Sequence, residues 1–145
     1  MGFTDLDGPA IESILQSQRV IRVAFDDGHE RYLIPLFFAW HDGALCGLTT
    51  PGRKTRMAEA SPTVAFQIDT SAETGPYEWQ SVSGEGRWET VTGERDMAFI
   101  PALQAKLADS PSWARELLMR RFETLGRVAW RIRPTTIGGR AHSPG

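Results

Sequence analysis

Short apolar runs separated by turn signals set the pattern of this chain. The run 19–25 is rich in β-branched residues and partly alternates, which predicts a strand. Asp26-Asp27-Gly28 follows as a hairpin turn, since Gly tolerates the positive φ that such turns need. The return strand is 31–40. Pro35 lies inside it, cannot donate to a ladder, and so predicts a bulge, an edge or a gap facing a ligand. His41-Asp42-Gly43 is another tight turn, and 44–48 is a third strand. Three more strands are predicted at 63–68, 79–91 and 127–133. The first of these follows Ser61-Pro62, the second bends at Gly84 and Gly86, and Pro134 ends the third. In 79–91, Trp79, Ser81 and Ser83 share one side, and Gln80 and Val82 the other. The first three strands are joined by turns too short for crossover helices, so they read as an antiparallel meander.

Helical spacing appears between and before the strands. Ile11, Ile14 and Leu15 lie on one face after an Asp7 or Gly8 cap and Pro9, predicting a helix within residues 1–18. A short helix is predicted over 53–60, with Met57 as its core contact. Met97, Ile100, Leu103 and Leu107 recur at helical intervals around Pro101. Trp113, Leu117, Leu118 and Phe122 form another helix, broken at Gly126. Residues 69–77 read as a loop. The Gly-rich polar tail 135–145 is expected to be flexible or to cover a partner. Together these predict an all-β fold with peripheral helices: one domain, 1–145, with a small six-stranded antiparallel barrel over 19–134. A β-sandwich accommodates the helical insertions less well.

Composition narrows the function classes. The chain has 145 residues, 41% of them hydrophobic and 23% charged, an ordinary globular balance. A net charge of −2 argues against a nucleic-acid binder. No apolar stretch reaches membrane-spanning length and no signal-peptide pattern opens the chain, so a cytoplasmic protein with no membrane role is expected. The single cysteine, Cys46, excludes an internal disulfide and reads as a small core residue. His29, His41 and His142 have no metal-site spacing, and no metal is expected. Asp26, Asp27 and Asp42 read as turn residues, and no catalytic residue is evident. Five tryptophans are many for this length and point to an interface beyond a monomer's core.

The chemistry concentrates in Leu48-Thr49-Thr50-Pro51-Gly52-Arg53-Lys54-Thr55-Arg56. Hydroxyls, a Pro-Gly turn and three cations precede or open a helix. Such a loop suits a phosphate, because N–H groups at a helix start point outward and Arg53 or Lys54 adds charge-assisted bonds. A solvated basic turn is the plainer reading. The spacing is not that of a nucleotide P-loop.

The order of these pieces resembles the pyridoxamine 5'-phosphate oxidase-like flavin-binding split barrels, near the nitroimidazole-resistance proteins. The resemblance rests on Arg19-Val20, Tyr32-Leu33-Ile34-Pro35-Leu36, Trp40-His41-Asp42-Gly43 and Thr49-Thr50-Pro51-Gly52-Arg53-Lys54. It continues through Ser61-Pro62-Thr63-Val64-Ala65-Phe66, Trp79-Gln80-Ser81-Val82 with Gly86-Arg87, and Val128-Ala129-Trp130-Arg131-Ile132-Arg133-Pro134. It implies a homodimer with two cofactor sites in the seam. It implies that Ile34, Pro35 and Leu36 run beside a flavin ring, and that Leu48, Thr49 and Thr50 lie near the ribityl chain. It implies Arg53 and Lys54 at the phosphate, with Trp79, Gln80 and Ser81 approaching from the partner chain. The full substrate-binding pattern of the true pyridoxamine 5'-phosphate oxidases is missing, which argues against vitamin B6 oxidation. FMN is the expected cofactor, with the deazaflavin F420 and then haem as rivals. The expected function is an oxidoreductase acting on a small-molecule substrate; a flavin-storing dimer is the non-enzymatic alternative.

Overall fold

The computed structural model describes residues 2–144. One antiparallel sheet carries the fold. In chain order its strands are β1 (Phe3–Asp5), β2 (Val20–Asp26), β3 (Arg31–Phe37), β4 (Ala39–His41), β5 (Ala44–Thr49), β6 (Thr63–Asp69), β7 (Trp79–Val91) and β8 (Val128–His142). Their spatial order is β3-β2-β6-β7-β8-β5-β4, with β1 paired to β8. The sheet curls so that the end of β3 meets β5: a Cβ built on Gly47 would lie 2.7 Å from the Phe37 carbonyl oxygen. This is a split β-barrel with a few peripheral helices, as the alternation predicts.

The strand count is eight where six are predicted. Phe38, fully buried, interrupts the 31–40 run and donates its N–H to the Arg19 carbonyl at 3.1 Å, dividing β3 from β4. The short β1 is the other addition. β3 ends the order of the sheet, so Pro35 sits on an edge strand, opposite Arg22.

β8 does not stop at Pro134; it runs to His142, paired with β7 from Ala129 onward except at Thr135, and with β1 at its end. Gly145 lies outside the described residues. The register moves from Glu85 opposite Thr136 to Gly86 opposite Pro134, so Thr135 has no partner in β7. This one-residue bulge accommodates a proline that has no N–H to give.

The helices are α1 (Gly8–Ser17), α2 (Arg53–Ala60), α3 (Ser71–Thr74), α4 (Ile100–Lys106) and α5 (Ser112–Leu125). Asp7 caps α1, accepting from the Ala10 N–H at 2.9 Å. α3 occupies part of the predicted loop. The helical spacing over 97–107 is realised as α4 from residue 100, where Pro101 falls in the first turn rather than the interior. Among the described residues α5 has none that is buried; Trp113 and Leu117 stand exposed on it.

The barrel interior is filled by Phe25, Trp88 and Trp130 among branched aliphatics. Trp88 and Trp130 stack with ring centres 4.9 Å apart, and Phe25 meets the edge of Trp88 at 5.2 Å. Each such side chain contributes about 1.5–3 kcal/mol when fully removed from water. A second cluster, Ala39, Cys46, Phe99 and Leu103 among others, seats α4 against the barrel. Lys106 pins that helix: its Nζ donates to the Leu15 and Phe38 carbonyls and lies 3.7 Å from the Phe38 ring centre.

Candidate functional site

The loop after β5 leads straight into α2, as the sequence suggests. The Thr55 hydroxyl accepts from the Gly52 N–H and donates to the Gly52 carbonyl, both at 2.9 Å, which tightens the helix start. Arg53 and Lys54 leave this turn in different directions. Arg53 donates to Glu30 at 3.0 Å and lies 4.5 Å from the centre of the Tyr32 ring. Lys54 is half-buried and has no acidic partner among the described residues. Burial, and then the Arg121 charge, push its amine below the ordinary lysine value. A cation in that setting favours an incoming anion.

β3 divides the Ile34-Pro35-Leu36 segment by face. Ile34 and Leu36 pack against the barrel core. Pro35 is exposed beside Leu33 and Phe37, which are 67% and 44% exposed, so these three form the outward row. Leu48 is half-buried against the second cluster, and Thr49 and Thr50 are buried at the strand end. β3, the end of β5 and the start of α2 therefore stand together.

Trp79, Gln80 and Ser81 stand elsewhere. Trp79 and Ser81 line a groove of about 490 Å³ with Asp5, Leu6, Ser83, Gly138, Gly139 and Arg140. Gln80 lies on the opposite face, with Val82; its backbone N–H donates to Thr70 Oγ1 at 3.0 Å. Arg140, opposite Ser81, and Gly138, opposite Ser83, come from the stretch predicted to be a flexible tail. Nothing lies within 4 Å of a Cβ built on Gly138, so the groove floor is open there. His142 also belongs to this end: its ring stacks 5.7 Å from Trp79 and Nδ1 pairs with the Tyr77 carbonyl. The alternation Thr136, Gly138, Arg140 was the available signal for these residues.

Thr49, which leads into α2, and Ser81 sit at opposite ends of β8. Thr49 pairs with Val128, and Ser81 with Arg140. Those positions are twelve residues apart, about 40 Å along an extended strand at roughly 3.3 Å per residue. Pro35 stands nearer the groove: it is opposite Arg22, Arg22 is opposite Gln67, and Gln67 is opposite Ser83.

The donor set suits a phosphorylated planar group in two halves. The α2 start and Lys54 offer N–H groups and charge to a phosphate. The groove offers an aromatic wall, a flat floor of small residues, and hydroxyl and guanidinium donors for a ring. Among the described residues no group of three or more potential metal ligands occurs, and no helix is long and apolar enough to cross a membrane.

A family model described as pyridoxamine 5'-phosphate oxidase matches residues 7–141. The chain belongs to that family. Solved structures share its fold. An FAD-binding protein from Mesorhizobium loti has 23% identity and a TM-score of 0.77, with 97% of each chain covered. A Bacteroides thetaiotaomicron protein assigned to 5-nitroimidazole antibiotic resistance has 16% identity and a TM-score of 0.70, covering 97% of this chain and 89% of that one. A haem storage protein from Vibrio cholerae has 14% identity and a TM-score of 0.70, covering 90% and 92%. No curated protein matches the sequence. At these identities the pyridoxamine 5'-phosphate oxidase-family likeness speaks for the split barrel itself.

Proposed function

We propose that the protein is a cytoplasmic, flavin-dependent oxidoreductase acting on a small molecule, with FMN held in the seam of a homodimer. The observation that carries this reading is the separation of Thr49, which leads into α2, from Ser81 at the two ends of β8. An antiparallel second copy joins the α2 end of one chain to the Trp79 end of the other. Membership of the family supports a flavin as the group held there.

Each residue then has a role. Lys54 and the first N–H groups of α2 bind the phosphate, and Arg53 braces the loop through Glu30. The outward row Leu33, Pro35 and Phe37 replaces Ile34 and Leu36 as the wall beside the ring. Trp79 and Ser81 close the site from the partner copy. Bound flavin supplies two-electron redox chemistry; the protein binds, orients and tunes it.

The absorption spectrum of the purified protein, alone and after titration with FMN and FAD, tests the reading. Flavin gives bands near ~375 and ~450 nm, a deazaflavin one near ~420 nm, and haem an intense Soret band. Saturable flavin binding at one per chain is expected. A deazaflavin or haem spectrum, or no uptake of either flavin, overturns it. Rapid reoxidation of the reduced protein by a small acceptor separates an enzyme from a flavin store.

A further inference from the structure

Behind Ser81 lies a polar relay formed by Gln67 and Asp69. β6 and β7 pair so that Asp69 is opposite Ser81 and Gln67 opposite Ser83. Gln67 Nε2 donates to Asp69 Oδ2 at 2.9 Å and to Ser81 Oγ at 3.0 Å. A carboxylate only accepts, so the amide nitrogen must be the atom facing Asp69. Arg22 Nη1, 3.4 Å from Oε1, holds the other side of the amide in the same sense. Asp69 itself accepts from the Ser71 N–H at 2.9 Å and the Ser71 hydroxyl at 2.5 Å. Burial raises its carboxyl, but the bonds from Ser71 and Gln67 and the Arg22 charge together outweigh that, and the group lies below the ordinary carboxylate value.

Both N–H bonds of the Gln67 amide are therefore committed, and Ser81 is an acceptor toward Gln67. A hydroxyl has one proton. Among the described residues Ser81 donates that proton to no protein acceptor. Its side chain lines the groove, in register with Arg140.

We propose that Gln67 and Asp69 are positioning residues that make the Ser81 hydroxyl a hydrogen-bond donor into the groove, where it favours the reduced flavin over the oxidised one. This rests on the flavin reading above. Uptake of two electrons and one proton leaves a flavin ring with one negative charge, and a donor aimed at that charge is worth more than one aimed at the neutral ring.

The test is a spectroelectrochemical titration of the flavin-loaded protein at fixed pH. Ser81→Ala is expected to lower the preference for reduced flavin by about tenfold, a shift of about 30 mV to more negative potential for a two-electron couple. Gln67→Ala is expected to shift the potential the same way. The double variant should match Ser81→Ala alone, because Gln67 acts only through Ser81. Ser81→Thr, which keeps the hydroxyl, should restore the wild-type potential. If Gln67→Ala does not fold, Gln67→Met keeps the length of the side chain and removes the donors. An unchanged potential in Ser81→Ala, or shifts that add in the double variant, overturns the proposal while leaving the flavin reading intact. A wild-type protein that loads no flavin overturns that reading, and this one with it.

Discussion

Arg53 and Glu30 form a hydrogen-bonded ion pair of 3.0 Å that ties the first turn of α2 to the β2–β3 hairpin. Both side chains are largely exposed, so the pair adds little to stability. Its importance lies in what it removes from the site. Arg53 has a partner already, and Lys54 beside it has none among the described residues.

Lys54→Ala should therefore weaken FMN strongly. One charge-assisted bond is worth roughly 1.5–3 kcal/mol, or about tenfold to a hundredfold in dissociation constant. Arg53→Ala should weaken FMN less. Riboflavin, which has the ring without the phosphate, should bind Lys54→Ala and wild type alike. Fluorescence titration with both ligands checks this; equal losses for both would place the damage in the ring pocket or the fold.

The outward row of β3 bears on assembly. Leu33 and Phe37 are large, apolar and exposed on the edge strand. Sedimentation equilibrium at low micromolar protein should give twice the 16.1 kDa chain mass. Leu33→Glu, which puts a charge in that row, should shift the population to monomer and release flavin together. A monomeric wild type with full flavin affinity would defeat the shared site.

Gly47 tests the closure of the barrel. A Cβ there would lie 2.5 Å from the Trp130 ring as well as 2.7 Å from the Phe37 carbonyl. The ring is fully buried and stacked on Trp88. Gly47→Ala should cost about 1–3 kcal/mol, read from the urea midpoint. An unchanged midpoint would mean that β3 and β5 are further apart than this.

Lys106 gives a pH dependence with a defined sign. Burial first, and the Arg19 charge second, push its amine from 10.5 down to about 8. Between those values the unfolded chain holds more protons at this position than the folded one, so its contribution to stability rises with pH. The stability difference between wild type and Lys106→Met should move in favour of wild type from pH 8 to pH 10. Urea unfolding at each pH measures it, and a flat difference would contradict the assignment.

Most of the fold was legible because buried strands print their alternation on the sequence. The meander, the cap at Asp7 and the limits of α2 all follow from local patterns. The segment Ile34-Pro35-Leu36 was legible as part of a strand, but its faces were not separated; the resemblance carries a position, not a direction. The core packing of Ile34 and Leu36 settles that. The end of β8 was illegible for a different reason. Its outward residues are small or polar, as in a solvated tail, and Pro134 normally ends a strand. Only the pairing with β7 and β1 reveals it. The Gln67–Asp69–Ser81 relay depends on the register between two strands, which no local pattern encodes.

The unpaired Thr135 has a consequence for how relatives of this chain are to be aligned. Before it, even-numbered residues of β8 such as Trp130 and Ile132 point into the barrel; after it, Gly139 and Ala141 do. Gly86 is opposite Pro134 and Glu85 is opposite Thr136, so Thr135 is the extra residue of the ladder. Its loss would bring Thr136 next to Pro134 in an unbroken strand, with Arg140 still on the groove side and Ala141 still on the barrel side. A relative with a single-residue gap between Pro134 and Thr136 would lack the bulge and keep the faces. A gap placed later in the strand, with the bulge kept, would turn every residue beyond it over.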